Sequence, residues 1–132
     1  MNGKLITCLV VCLSYITTAM PAFGHHAFTA VFDEKKPLKM TGTVTKVEWQ
    51  NPHTWFYVDV KDGSGKVTNW AFEMASPNLL IRNGWTRSSL KIGDVVTVDA
   101  FGSKDGSNNA NARVVILAST GKSLFAGSSS GR

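Results

Sequence analysis

The 132-residue chain holds three histidines, and they fall in two places: the pair His25-His26, and His53 directly behind Asn51-Pro52. The pair follows a segment, MNGKLITCLVVCLSYITTAMPAFG, with a charged start at Lys4, an apolar run from Leu5 to Ile16, and small residues Ala22 and Gly24 close to its end. Those are the parts of a signal peptide. Removal of residues 1–24 leaves His25 with a free α-amine, so a single residue offers both an amine and an imidazole. With ordinary pKa values of about 8 and about 6.5, both lose their protons readily near neutrality, and binding of a metal weakens as the pH falls. An imidazole from His53 or His26 completes three nitrogens. Copper(II) is the candidate ion, since it favours tetragonal N and O ligation and heads the divalent affinity order. The competing reading is a solvated terminal pair, with His53 capping a turn.

A second constellation is aromatic. Trp55, Tyr57 and Trp70, with Trp85 and the carboxylate of Glu73, could line a ligand groove, while packing in the core is the ordinary use of such rings. Glu48 and Asp59 add carboxylates with no paired spacing that would mark an acid–base couple. Ser88 and Ser89 lie in no nucleophile elbow, the glycines at 63 and 65 belong to a turn, and no HExxH occurs. The expectation is a binding protein without catalytic residues.

Composition narrows the class. Hydrophobic residues make up 43% and charged ones 17%, with four Trp, which suits one packed domain and neither a disordered chain nor a coiled coil. Both cysteines, Cys8 and Cys12, lie in the apolar leader, so a chain starting at His25 has no disulfide and no thiolate metal site. Fourteen Lys and Arg against nine Asp and Glu give a net charge of +5, scattered along the chain rather than gathered into the stripe a nucleic-acid binder shows. No later apolar stretch reaches the roughly 20 residues a membrane-spanning helix needs.

The elements that must position these residues are mostly strands. Residues 25–37 read as an arm with Phe28, Val31 and Phe32 as anchors, and 38–50 alternate with period two around Gly42, the mark of a long strand that bends. Thr54–Lys61 and Val67–Met74 flank the turn Asp62-Gly63-Ser64-Gly65, a hairpin in which Phe56, Val58 and Val60 take the core face. Ser76 caps and Pro77 opens a short helix that ends at Gly84. Strands follow at 95–101 and 112–118, and the Gly/Ser-rich residues 121–132 read as a flexible tail. Five strands with one short helix between the third and fourth give an all-β, OB-fold-like β-barrel over residues 38–120.

The motifs HHAFTAVFD, VTKVEWQNPHTWFYVDVKD, NWAFE, RNGWTR and LKIGDVVTV, in that order, resemble a family of small exported bacterial proteins of unknown function. The resemblance covers most of the chain after the leader and implies export, a start at the paired His and an OB-like barrel. His25, His26, Asn51, Pro52, His53, Trp55, Trp70, Glu73, Gly84 and Trp85 carry it here. The free terminal His is also similar, in chemistry alone, to the histidine brace of certain exported copper proteins.

Two functions are therefore expected of a periplasmic chain. One is binding of a metal ion, copper, through His25, His26 and His53. The other is capture of an anionic glycan, an envelope polymer or a protein through the aromatic face with Lys46, Lys61, Arg82 and Arg87.

Overall fold

The computed structural model describes residues 28–127; the leader at 1–24, the paired His25-His26 and residues 128–132 lie outside the described residues. From Phe32 onward the described residues form six strands and one helix: β1 (Phe32–Glu48), β2 (Trp55–Lys61), β3 (Val67–Glu73), α1 (Pro77–Arg82), β4 (Val95–Ser103), β5 (Asn109–Leu117) and β6 (Ser123–Phe125). Strand β1 is antiparallel to β4 through residues 37–43 and to β2 through 42–48, β2 is antiparallel to β3, and β4 to β5. A parallel seam of three register pairs, Ala71 with Asn109, Phe72 with Ala110 and Glu73 with Asn111, closes the ring. This is the strand order of an OB-like barrel, as the sequence pattern implies.

Period-two alternation decides what fills it. Val44, Phe56, Val58, Phe72, Val96, Val98, Ala100, Ala112 and Val115 are buried and form one core with Met74, Leu80, Trp85 and Leu90. Phe56 and Phe72, opposite one another across β2 and β3, stack with centroids 5.1 Å apart. Residues two apart on a strand share a face, so the neighbouring positions must point outward.

Gly42 sits where β1 changes partners. A Cβ there would lie 2.3 Å from the Asp59 carbonyl oxygen and 2.7 Å from Val58 Cγ1, so only glycine lets the two backbones approach this closely. A bulge follows between Val44 and Lys46 and shifts β1 by one residue against β2, so that Lys46 and Glu48 face outward.

The helix is as its caps dictate. Ser76 Oγ accepts from the Leu79 amide at 3.4 Å, Pro77 occupies the first turn, Leu80 is buried, and Gly84 takes φ +90° just beyond the Asn83 cap. Its six residues make it shorter than the span to Gly84 suggests.

The ends differ from expectation. Strand β1 starts at Phe32 rather than at 38, because Pro37, which cannot donate to a ladder, lies where β1 has β4 alone as neighbour. Within the Gly/Ser-rich stretch after 121, Ser123–Phe125 forms a sixth strand on β5, with Leu124 and Ala126 buried. The Ala126 amide donates to Arg113 O and its carbonyl accepts from the Ala75 amide, which ties this stretch to both β5 and the chain leaving β3.

The β4–β5 loop is held by one carboxylate. Asp105 Oδ1 accepts from the Ser107 amide at 2.9 Å and from Ser103 Oγ at 2.8 Å, and these bonds hold its pKa down at about 2. A carboxylate depressed in the folded state adds stability above its ordinary value, and the gain disappears as pH falls through the folded one. The urea midpoint of Asp105→Asn is therefore expected below that of the parent at pH 5, with the gap closing as the pH is taken toward 2.

Candidate functional site

The outer face of β1, β2 and β3 carries the polar and aromatic residues that alternation excludes from the core. Cross-strand register sets them in rows: Glu48, Trp55 and Glu73; then Lys46, Tyr57 and Ala71; then Thr43, Asp59 and Asn69. The seam extends the first two rows onto β5, at Asn111 and Asn109.

Hydrogen bonds fix most of these side chains. Tyr57 Oη donates to Glu48 Oε2 at 2.9 Å, Lys46 Nζ lies 2.5 Å from Glu48 Oε1, and the Lys46 ammonium sits 5.2 Å from the Tyr57 ring centroid. The hydrogen bond from Lys46 and that from Tyr57 lower the Glu48 pKa, and Glu48 in turn raises those of Lys46 and Tyr57. Asn69 Nδ2 donates to Asp59 Oδ1 at 2.8 Å and to Thr45 Oγ1 at 3.1 Å.

His53 enters this face from the β1–β2 loop. The loop returns into β2 through Thr54, whose amide donates to Ala75 O and whose carbonyl accepts from the Met74 amide, so residue 53 is set beside the end of β3. There the His53 Nδ1–H donates to Glu73 Oε1 at 2.6 Å, with the side chains 38% and 15% exposed. Burial pushes the Glu73 carboxyl up, and the charge and hydrogen bond of His53 draw it partly back. Because the carboxylate accepts at Nδ1, the neutral ring carries its lone pair on Nε2. His53 alone therefore offers one metal-ligating nitrogen. Among the described residues no three His, Cys, Asp or Glu side chains gather as a metal site would need.

The five groove residues named from the sequence separate into two sets. Trp55, Tyr57 and Glu73 share the outer face. Trp70 pairs with Val58 and stacks on Phe72 at 6.4 Å, so it packs against the core from the opposite side of β3. Trp85 is 2% exposed, and its indole Nε1–H donates to Phe125 O at 2.8 Å, which makes it a core residue. The four basic residues are likewise dispersed: Lys46 pairs with Glu48, Lys61 ends β2, Arg82 lies in the last turn of α1, and Arg87 stacks on Trp49 at 5.6 Å. Glu48, Asn69 and Asn109 join the outer face without having been singled out for it; their strand parity was the available signal. No helix of the described residues is long and apolar enough to cross a membrane.

No curated protein matches this sequence. The model of a family of unknown function, DUF6152, matches residues 13–112, and the chain belongs to that family.

Proposed function

We propose that the protein is a non-enzymatic Cu(II)-binding module exported to the periplasm, with His25, His26 and His53 as its nitrogen donors. The observation that carries the reading is the His53–Glu73 pair. A metal-binding imidazole typically donates its other ring N–H to a carboxylate, which fixes the tautomer, orients the ring and raises its basicity. Here a largely buried carboxylate holds Nδ1 at 2.6 Å. That arrangement leaves Nε2 as the donor atom. The amine and imidazole of a chain starting at His25 add the chelate that Cu(II) prefers. Export rests on the charged start and short apolar run of residues 1–24.

The test is a Cu(II) titration of protein starting at His25, verified by intact mass and followed by electron paramagnetic resonance. Stoichiometric binding with nitrogen hyperfine couplings is expected. His53→Ala, or one extra residue before His25, should weaken it by about 100-fold, and Glu73→Gln by about tenfold, the cost typical of removing an orienting partner. Unchanged affinity in both of the first two variants would overturn the reading.

A further inference from the structure

We infer that Asn83 is a site of spontaneous deamidation which the C-terminal cap of α1 keeps shut, so that the chain is modified there when this turn opens. The motif Arg82-Asn83-Gly84-Trp85 takes no part in the copper reading. Before a glycine, the backbone nitrogen that can attack an asparagine side chain is uncrowded, because glycine has no Cβ. Asn83 is exposed, and beyond its chain neighbours nothing lies within 4 Å of where a Cβ of Gly84 would stand. The reaction needs water alone. Gly84 N bonds to Asn83 Cγ, and the side-chain amide leaves with the Gly84 proton as ammonia. Water then opens the resulting succinimide at either carbonyl, giving aspartate or, with the chain rerouted through Cγ, isoaspartate.

Asp62-Gly63 and Asp105-Gly106 could form the same ring, but their carboxylates are tied down. Asp62 Oδ1 accepts from the Ser64 amide, Ser64 Oγ and the Lys66 amide, and Asp105 Oδ1 from the Ser107 amide and Ser103 Oγ. These bonds lower both pKa values, that of Asp105 to about 2, and an ionised carboxylate offers the nitrogen no leaving group. Asn83 instead presents a neutral amide.

The fold restrains the attack. The Gly84 amide donates to Ile81 O at 3.1 Å and the Trp85 amide to Leu80 O at 3.0 Å, the paired bonds that end a helix at a glycine. Bringing Gly84 N onto the Asn83 side chain turns the backbone between them and breaks both. It also pulls on Trp85, whose indole is buried and bonded to Phe125 O. A helix of six residues can open at its end without global unfolding, so the native protein reacts slowly rather than not at all. Isoaspartate lengthens the backbone by one carbon ahead of Gly84, so the two amides no longer return to Ile81 and Leu80 with Trp85 seated in the core.

The experiment is peptide mapping by mass spectrometry of the purified protein, held folded or in guanidinium chloride at mildly alkaline pH. In the folded protein, conversion at Asn83 is expected to outrun that at every other described asparagine, and unfolding should speed it by about tenfold or more. Trp85→Phe, shown to be folded by circular dichroism, loses the bond to Phe125 O and should convert about three- to tenfold faster than the folded parent. The isoaspartyl product, isolated by ion exchange and refolded, should melt below the parent. Equal rates in the folded and unfolded parent, a faster site at another described asparagine, an unchanged rate in Trp85→Phe, or an isoaspartyl product as stable as the parent would overturn the proposal.

Discussion

Replacement of Gly42 by valine is expected to leave little folded protein. The new Cβ would stand 2.3 Å from the Asp59 carbonyl oxygen, a backbone atom that cannot swing aside, and 2.9 Å from its carbon. Relief requires β1 and β2 to separate where β1 is simultaneously paired with Val60 on one side and Val96 on the other. Overpacking of this kind ordinarily costs about 1–3 kcal/mol, and a clash against backbone in a doubly paired strand belongs above that range. A domain of this size is stable by about 5–15 kcal/mol, so a loss of about 4 kcal/mol is a large part of the whole. Thermal unfolding followed by circular dichroism checks it. A melting temperature within a few degrees of the parent would show that the strands are freer to part than their pairing implies.

Trp85→Ala should be nearly as damaging by the opposite route. The indole is among the largest fully buried side chains, and its removal leaves a cavity in the core cluster to which Leu80 and Leu90 also belong. It also deprives Phe125 O of its 2.8 Å donor. Truncating a buried Trp costs about 3–5 kcal/mol, equivalent to a fall in melting temperature of roughly 12–30 °C for a domain of about 100 residues. Trp85→Phe separates the two causes, since it keeps most of the volume and loses the hydrogen bond. It should recover more than half of the deficit. A variant no better than alanine would mean that the bond to Phe125, rather than the buried area, dominates.

How much of this could be read from the sequence depends on the range of the interaction involved. The core face of β2 follows from alternation alone, since Phe56 and Val58 cannot share a side with Trp55 and Tyr57. Ser76-Pro77 and the glycines at 63 and 65 act within a few residues, and the helix and hairpin stand where they place them. Trp70 was equally legible, because it lies an odd number of positions from Glu73 and must face the other way; nearness in the chain suggested otherwise. Composition misleads at Ser123–Phe125. Its glycine- and serine-rich surroundings read as an unstructured tail, yet Leu124 and Ala126 alternate inward as a strand requires. The contact of His53 with Glu73 and the hydrogen bond from Trp85 to Phe125 depend on how distant segments are assembled, and no local pattern encodes them.

The three-pair seam between β3 and β5 has a kinetic meaning. Hairpin β2–β3 needs only the turn at residues 62–65 to close, and β1 can join β2 across a short loop. The ring cannot close until β5 reaches β3, after α1 and β4 have been laid down between them, and only three residues on each side then meet in the register that completes it. Loop-closure entropy must be met before so few pairings return anything. Closure is thus the late event of assembly, and the barrel belongs with the β-rich domains that fold in milliseconds to seconds rather than with fast helical bundles.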